Sequence, residues 1–219
     1  MSTLPSGIVT FLFSDVEGST RLVRDFGDAR WAELLETHRQ ILRRAFSAND
    51  GREVSTQGDA FFAVFARASD AVAAAIAGQR ALEAHPWPEN IRVRVRIGIH
   101  TGEALADGDN YTGQEVHRAS RICDAGHGGQ IVVSKTTAEL VRAGVGNGAV
   151  LTDLGDHRLK DMGDAQRLFQ LTATGLPSQF SPLRSLSSAS NLPAERSSFV
   201  GRQKELAAIR RILATHRLV

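Results

Sequence analysis

Cys123 is the sole cysteine of 219 residues, so no disulfide can form within the chain and a hydrophobic core must hold the fold. No uncharged apolar run approaches the roughly 18 to 20 residues of a membrane-spanning helix, which argues against an integral helical membrane protein. Aromatic residues make up only 6%, and no strand pair interleaves them with basic residues as an RNA-reading sheet does. A strong charge of either sign is missing too. Lys plus Arg number 26 and Asp plus Glu 24, a net charge of +2, too weak a field to imply nucleic-acid or membrane binding. Residues 1–5 lack the basic start and apolar stretch of a secretory signal, and with the unpaired cysteine this leads us to expect a cytoplasmic protein. What remains is 42% hydrophobic and 23% charged, the balance of a globular domain of ordinary size with some chain to spare.

The apolar, β-branched and aromatic run 8–14 suits a strand buried on both faces, with Asp15 at its exit. Over 31–46 the apolar positions Trp31, Leu34, Leu35, His38, Ile41, Leu42 and Ala45 recur at helical steps. Residues 52–56 and 60–65 read as two strands joined at Gln57-Gly58-Asp59, since glycine tolerates the positive φ of a tight hairpin. Ser69-Asp70 opens an alanine-rich helix that Pro86-Trp87-Pro88 stops. The stretch 91–100 alternates Val93, Val95, Ile97 and Ile99 against Arg92, Arg94, Arg96 and His100, a strand with one buried face. A helix over 113–124, a strand over 130–133, a serine-capped helix over 134–142 and three short strands before Thr174 complete the domain. Recurring helices between strand pairs give an α+β fold with helices packed on one face of a sheet. From Pro177 to Ser198 prolines and serines replace aliphatics, which reads as a linker, and helical periodicity resumes over 199–219. The domains expected are thus 1–175, a linker over 176–198, and a helical segment over 199–219.

Asp15 and Asp59 each sit where a carboxylate faces a cleft at low cost. Either alone suits a turn or a cap; together they suit Mg²⁺, which takes one or two protein carboxylates plus substrate phosphates. Gly18, Ser19 and Thr20 follow at a helix start, where free N–H groups receive phosphate oxygens or a hydroxyl simply caps the helix.

The blocks Phe11-Leu12-Phe13-Ser14-Asp15-Val16-Glu17-Gly18-Ser19-Thr20, Gly58-Asp59-Ala60-Phe61-Phe62-Ala63-Val64-Phe65 and Ile97-Gly98-Ile99-His100-Thr101-Gly102 resemble, in order and spacing, the catalytic domain of class III adenylate and guanylate cyclases. Gly113-Gln114-Glu115-Val116-His117-Arg118-Ala119-Ser120-Arg121 and Leu159-Lys160 continue the pattern, so the resemblance spans about residues 7 to 172. It implies a ferredoxin-like βαββαβ core and a head-to-tail homodimer with two composite sites. It assigns two divalent ions, Mg²⁺ or Mn²⁺, to Asp15 and Asp59, the transition-state phosphates to Arg121, and the terminal phosphates to Lys160. The implied reaction is attack of the ribose 3′-hydroxyl on the α-phosphorus of ATP, expelling pyrophosphate and closing cyclic AMP.

Three positions depart from the family. Ser55 stands in place of the adenine-selecting lysine, Asn110 in place of its aspartate partner, and His117 in place of a helical asparagine. Serine and asparagine are ambivalent donors and acceptors, so ATP selection should be loose, with GTP as a second substrate. His117 either donates a hydrogen bond to ribose or phosphate or is a partly buried helical histidine. These departures keep open a weakly active or inactive nucleotide-binding regulatory module. The segment Phe199-Val200-Gly201-Arg202-Gln203-Lys204-Glu205-Leu206 resembles the opening of signal-transduction ATPase domains that follow some bacterial cyclase domains, without any Gly-rich phosphate loop.

Overall fold

The computed structural model describes residues 4–88, 91–144 and 148–186. The elements in chain order are β1 (Gly7–Val16), α1 (Ser19–Ser47), β2 (Arg52–Gln57), β3 (Ala60–Phe65), α2 (Ala68–Ala84), β4 (Val95–Asp107), β5 (Asn110–Thr112), α3 (Gln114–Ala125), β6 (Ile131–Ser134), α4 (Lys135–Val141), β7 (Ala149–His157) and β8 (Gln166–Ala173). The first six form a βαββαβ unit. Its strands lie in the order β2-β3-β1-β4 and the sheet continues through β6, β8 and β7, with β5 pairing the far end of β4. Only β4 and β6 run parallel; the other pairings are antiparallel. No described helix is long and apolar enough to cross a membrane.

Side chains alternate across the central strands and build two cores. Leu12 and Val16 of β1, Phe61, Ala63 and Phe65 of β3, and Val95, Ile97 and Ile99 of β4 meet α1, α2 and α4 on one face. Val9, Phe11, Phe62 and Val64 point the other way, with Tyr111 and Ala119 of α3. Helices therefore cover both faces, not one as the sequence suggested. The reason lies at Gly98: a Cβ there would stand 2.2 Å from the backbone nitrogen of Cys123, so only glycine lets α3 lie this close on β4. The covering helix also buries His100, which alternation had placed on an open face; it is 2% exposed, bonded through Nδ1 to Ser134 Oγ at 2.8 Å and through Nε2 to Glu115.

Four boundaries differ from the sequence reading. α1 begins at Ser19, not near Trp31, because Gly27 (φ 78°, ψ 164°) kinks the helix without ending it. β4 begins at Val95, since β1 stops at Val16 opposite it and residues 91–94 have no strand to pair with. A turn after Asp107 adds the short β5, and two strands rather than three precede Thr174. Residues 177–186, expected within the linker, lie against the domain: Leu183 is 3% exposed in a cluster with Ile122, Ala125, Val132, Leu159 and Leu168. The rest of the expected linker and the segment 199–219 fall outside the described residues.

One core residue is costly. His38 of α1 is fully buried against Phe61, with neither ring nitrogen hydrogen-bonded, and burial pushes its pKa down to about 4. The unfolded chain thus takes up a proton near pH 6.5 that the folded chain refuses until about pH 4. Stability from neutral His38 is complete above pH 6.5 and falls as the pH drops through that window, by up to roughly 3 kcal/mol. His38→Leu should raise the melting temperature more at pH 5 than at pH 8 and flatten the acid limb, the remainder being due to His100, whose pKa burial also lowers. Thermal unfolding across pH 4 to 8 checks this.

Candidate active site

Asp15 and Asp59 reach one place from two elements. Asp15 is the penultimate residue of β1, and the β2–β3 hairpin turn brings Asp59 beside it, where its Oδ2 accepts from the Val16 N–H at 3.1 Å. Arg39 of α1 steadies that turn by donating from Nε and Nη2 to the Gly58 carbonyl at 3.2 and 2.6 Å. Partial burial raises the pKa of Asp15, the Asp59 carboxylate adds to the rise, and Arg96 opposes both. Two adjoining carboxylates are a donor set for a hard divalent cation. Among the described residues no third His, Cys, Asp or Glu completes a cluster, so further ligands would have to come from substrate and water. That fits Mg²⁺ or Mn²⁺ bound with a polyphosphate.

Next to this pair, Gly18 takes the left-handed conformation (φ 72°, ψ 29°) and opens α1 without a side-chain cap. The first N–H groups of the helix, at Ser19 and Thr20, are thereby left to an external acceptor, as phosphate binding requires.

His117 and Arg121, one turn apart on α3, come together on the wall of a separate cavity of about 440 Å³ that Asp161, Met162 and Gln166 complete. Arg121 donates to Asp161 at 2.7 Å and to Asp124 at 3.2 Å. Lys160 is exposed on the turn just before Asp161 and does not line the cavity, nor do Asp15 and Asp59. Ser55 is half-buried on β2 beside a bulge, facing Phe62 in the ladder. Asn110 is exposed on β5, its Oδ1 accepting from the Tyr111 N–H at 2.8 Å. A single chain therefore brings together the carboxylate pair and, separately, the helical arginine and histidine.

Arg96 was missed from the sequence, where alternation made it a solvent-facing strand residue. It lies directly opposite Asp15, its side chain 18% exposed, and donates to Asp15 Oδ2 from Nε at 3.0 Å and Nη2 at 2.5 Å. Its Nη2 also stands 3.6 Å from Asp124. A run of alternating charge thus links Asp161, Arg121, Asp124, Arg96 and Asp15. The usable signal was register: a strand ending in a buried aspartate needs a cation at the facing rung.

A half-buried carboxylate pair beside an uncapped helix start, on a βαββαβ sheet, is the arrangement that comparison with known proteins places in a family. Residues 2–173 match the family described as the adenylate and guanylate cyclase catalytic domain, and the chain belongs to that family. An uncharacterised protein of Mycobacterium tuberculosis is 34% identical over 206 residues, covering 93% of this chain and 70% of its own. Among solved structures, an adenylate cyclase of Trypanosoma brucei in its monomeric state superimposes with a TM-score of 0.73 at 23% identity, covering 84% of this chain and 95% of its own. The guanylate cyclase domain of a Catenaria anguillulae protein in complex with GTP has a TM-score of 0.66 at 20% identity, covering 76% and 97%. At these identities the two structures speak for the fold alone.

Asp161 and Asp124 neutralise Arg121 where an anion would meet it. Removing one carboxylate should strengthen anion binding: Asp161→Asn is expected to lower the Kd for ATP about two- to fivefold, read by titration with a fluorescent nucleotide. Unchanged or weaker binding would count against Arg121 as a phosphate ligand.

Proposed function

We propose that the chain is the catalytic domain of a nucleotidyl cyclase that converts ATP to 3′,5′-cyclic AMP and pyrophosphate at sites shared between two head-to-tail copies. The observation that carries this reading is the convergence of Asp15 and Asp59, both half-buried, beside the uncapped start of α1. Their absence from the lining of the cavity of His117 and Arg121 supports sites built from two copies, each lending one half. On this reading Asp15 and Asp59 hold two divalent ions while the N–H groups at Gly18, Ser19 and Thr20 receive phosphate oxygens. Arg121 and Lys160 of the second copy grip the phosphates, Arg121 through its always-charged planar fork, and His117 donates to ribose or phosphate. When bound, such ions would lower the pKa of the 3′-hydroxyl and neutralise phosphate charge. The 3′-hydroxyl gives its proton to water, its oxygen bonds to the α-phosphorus, and the bond to pyrophosphate breaks, pyrophosphate leaving with the electron pair.

Purine choice follows from two side chains. With its oxygen engaged by Tyr111, Asn110 has its NH₂ group to offer, a donor that suits N1 of adenine and O6 of guanine alike. Ser55 has a rotatable hydroxyl and adds no fixed preference. ATP is the expected main substrate, with measurable GTP turnover or inhibition, and selectivity below about a thousandfold in kcat/KM. Ser55→Lys with Asn110→Asp should sharpen it.

A second reading, a module that binds nucleotide with little turnover, draws on the departures Ser55, Asn110 and His117 and on the neutralised Arg121. Incubation with ATP or GTP and Mn²⁺ or Mg²⁺, with product separated by chromatography, distinguishes the two: cyclic product supports the enzyme, while tight binding without product supports the module.

Asp15→Ala and Asp59→Ala should each abolish turnover with the fold retained, since each removes a cleft ligand rather than core packing. Mixing Asp15→Ala with Arg121→Ala should restore about a quarter of wild-type activity, because half of the random dimers are mixed and one of their two sites is intact. Absence of recovery, with mixed dimers present, would exclude shared sites.

A further inference from the structure

We propose that residues 177–186 are a positioning strap for the site, tying the segments that carry Asp15, Arg121 and Lys160 to one another and to the chain after Leu186. This inference rests on the cyclase reading for its catalytic consequence, but its geometry stands apart from that reading.

The strap is anchored at its hydrophobic middle, where Leu183 fills the cluster of Ile122, Ala125, Val132, Leu159 and Leu168. Around that anchor three of its polar contacts fall on segments that carry candidate site residues. The Arg184 side chain pairs with Glu17, two residues beyond Asp15. The Arg184 N–H donates to the carbonyl of Ala125 at 2.9 Å, at the end of the helix that carries Arg121 and next to its acceptor Asp124. The Leu186 N–H donates to the carbonyl of Arg158 at 2.8 Å, two residues before Lys160 and three before Asp161, and Leu159 between them is part of the same apolar cluster. Pro182 O and Ser178 O are held by His127 Nε2 at 3.0 Å and by Gln170 Nε2 at 2.7 Å, which fixes the path of the strap beside β8 and the segment after α3.

Three segments that each deliver one candidate site residue, the exit of β1, the end of α3 and the turn at residues 158–161, are thus held by one ten-residue stretch of irregular chain. Without it, the turn at residues 158–161 and the end of α3 would keep the Arg121–Asp161 pair as a link but lose the backbone bonds from Arg184 and Leu186. Displacement of the chain beyond Leu186, by a bound partner or a neighbouring domain, would act first on Arg158 and Ala125. Reach-through to both halves of the site is what separates a positioning strap from a simple cover.

The Arg184–Glu17 pair isolates the effect, because Arg184 is 48% exposed and an exposed ion pair adds little stability. In the full chain, Arg184→Glu and Glu17→Arg should each lower kcat for cyclic product about five- to tenfold, with the KM for nucleotide and the melting temperature nearly unchanged, and the double charge reversal should recover most of kcat. Amide hydrogen exchange in residues 15–20 and 121–125 should quicken in each single variant and return in the double. Leu183→Ala, expected to lower the melting temperature, should quicken exchange at 158–161 as well. Single variants that turn over like wild type, or a double that recovers nothing while folded, would overturn the proposal. If the wild-type protein makes no cyclic nucleotide, the functional reading fails while the exchange data still decide the strap: unaltered exchange in both single variants and in Leu183→Ala would refute it.

Discussion

Ten residues of β1 pair with β4, from Gly7 opposite Ala104 to Val16 opposite Val95, and the rest of the domain is referred to that ladder. Period-two alternation along it sends Leu12, Ile97 and Ile99 to the core of α1, α2 and α4, and sends Phe11, Asp15, Arg96, Gly98 and His100 to the side that α3 covers. A slip of one rung would exchange the two sets, burying charge under three helices and forcing aliphatics against α3 where glycine and polar residues now fit. The register therefore places the aspartate and its arginine on facing rungs at the edge of a hydrophobic strand, where neither is fully hidden nor freely solvated. The hairpin of β2 and β3, clamped by Arg39, then needs only to bring its turn to the end of β1 for the second carboxylate to arrive.

From that ladder the charges continue outward in alternating sign, through Arg96 to Asp124, Arg121 and Asp161. The outer links, from Arg121 to Asp124 and Asp161, are the more exposed ones and contribute little to stability. Their consequence is local neutrality: under the proposed function, a polyphosphate with its cations enters by exchanging partners with charges already matched, not by meeting a bare positive surface. The small net charge of the chain, +2, is consistent with attraction built at the site instead of over the whole molecule.

The sequence disclosed the strands and helices whose burial is one-sided and uninterrupted, because periodicity reports burial. It also disclosed Asp15 and Asp59 as residues of interest through their place beside such elements, whereas Arg121 came from the family resemblance alone. It did not disclose Arg96 or His100, since alternation cannot tell a face open to solvent from one covered by a helix that comes later in the chain. The start of β4 was misjudged for a related reason: Ile91 and Val93 alternate and are buried like strand residues, yet no partner strand reaches them. Residues 177–186 were read as linker because proline and serine report the absence of regular hydrogen bonding, which is not the absence of packing. The apolar residues Phe180, Leu183 and Leu186 in that stretch were the visible cue, and of the two leucines only Leu183 is buried.

The near-contact of Gly98 with the backbone of Cys123 has a chemical corollary. Cys123 is the only thiol of the chain, it is buried beneath the helix that carries Arg121, and burial drives its pKa far above the ordinary thiol range. In the closed packing it is shielded from oxidants and alkylating reagents, both by lack of access and by lack of thiolate. Alkylation at Cys123 consequently measures how often α3 lifts from β4, so the native protein carries its own single-site reporter of that helix, with no label to introduce.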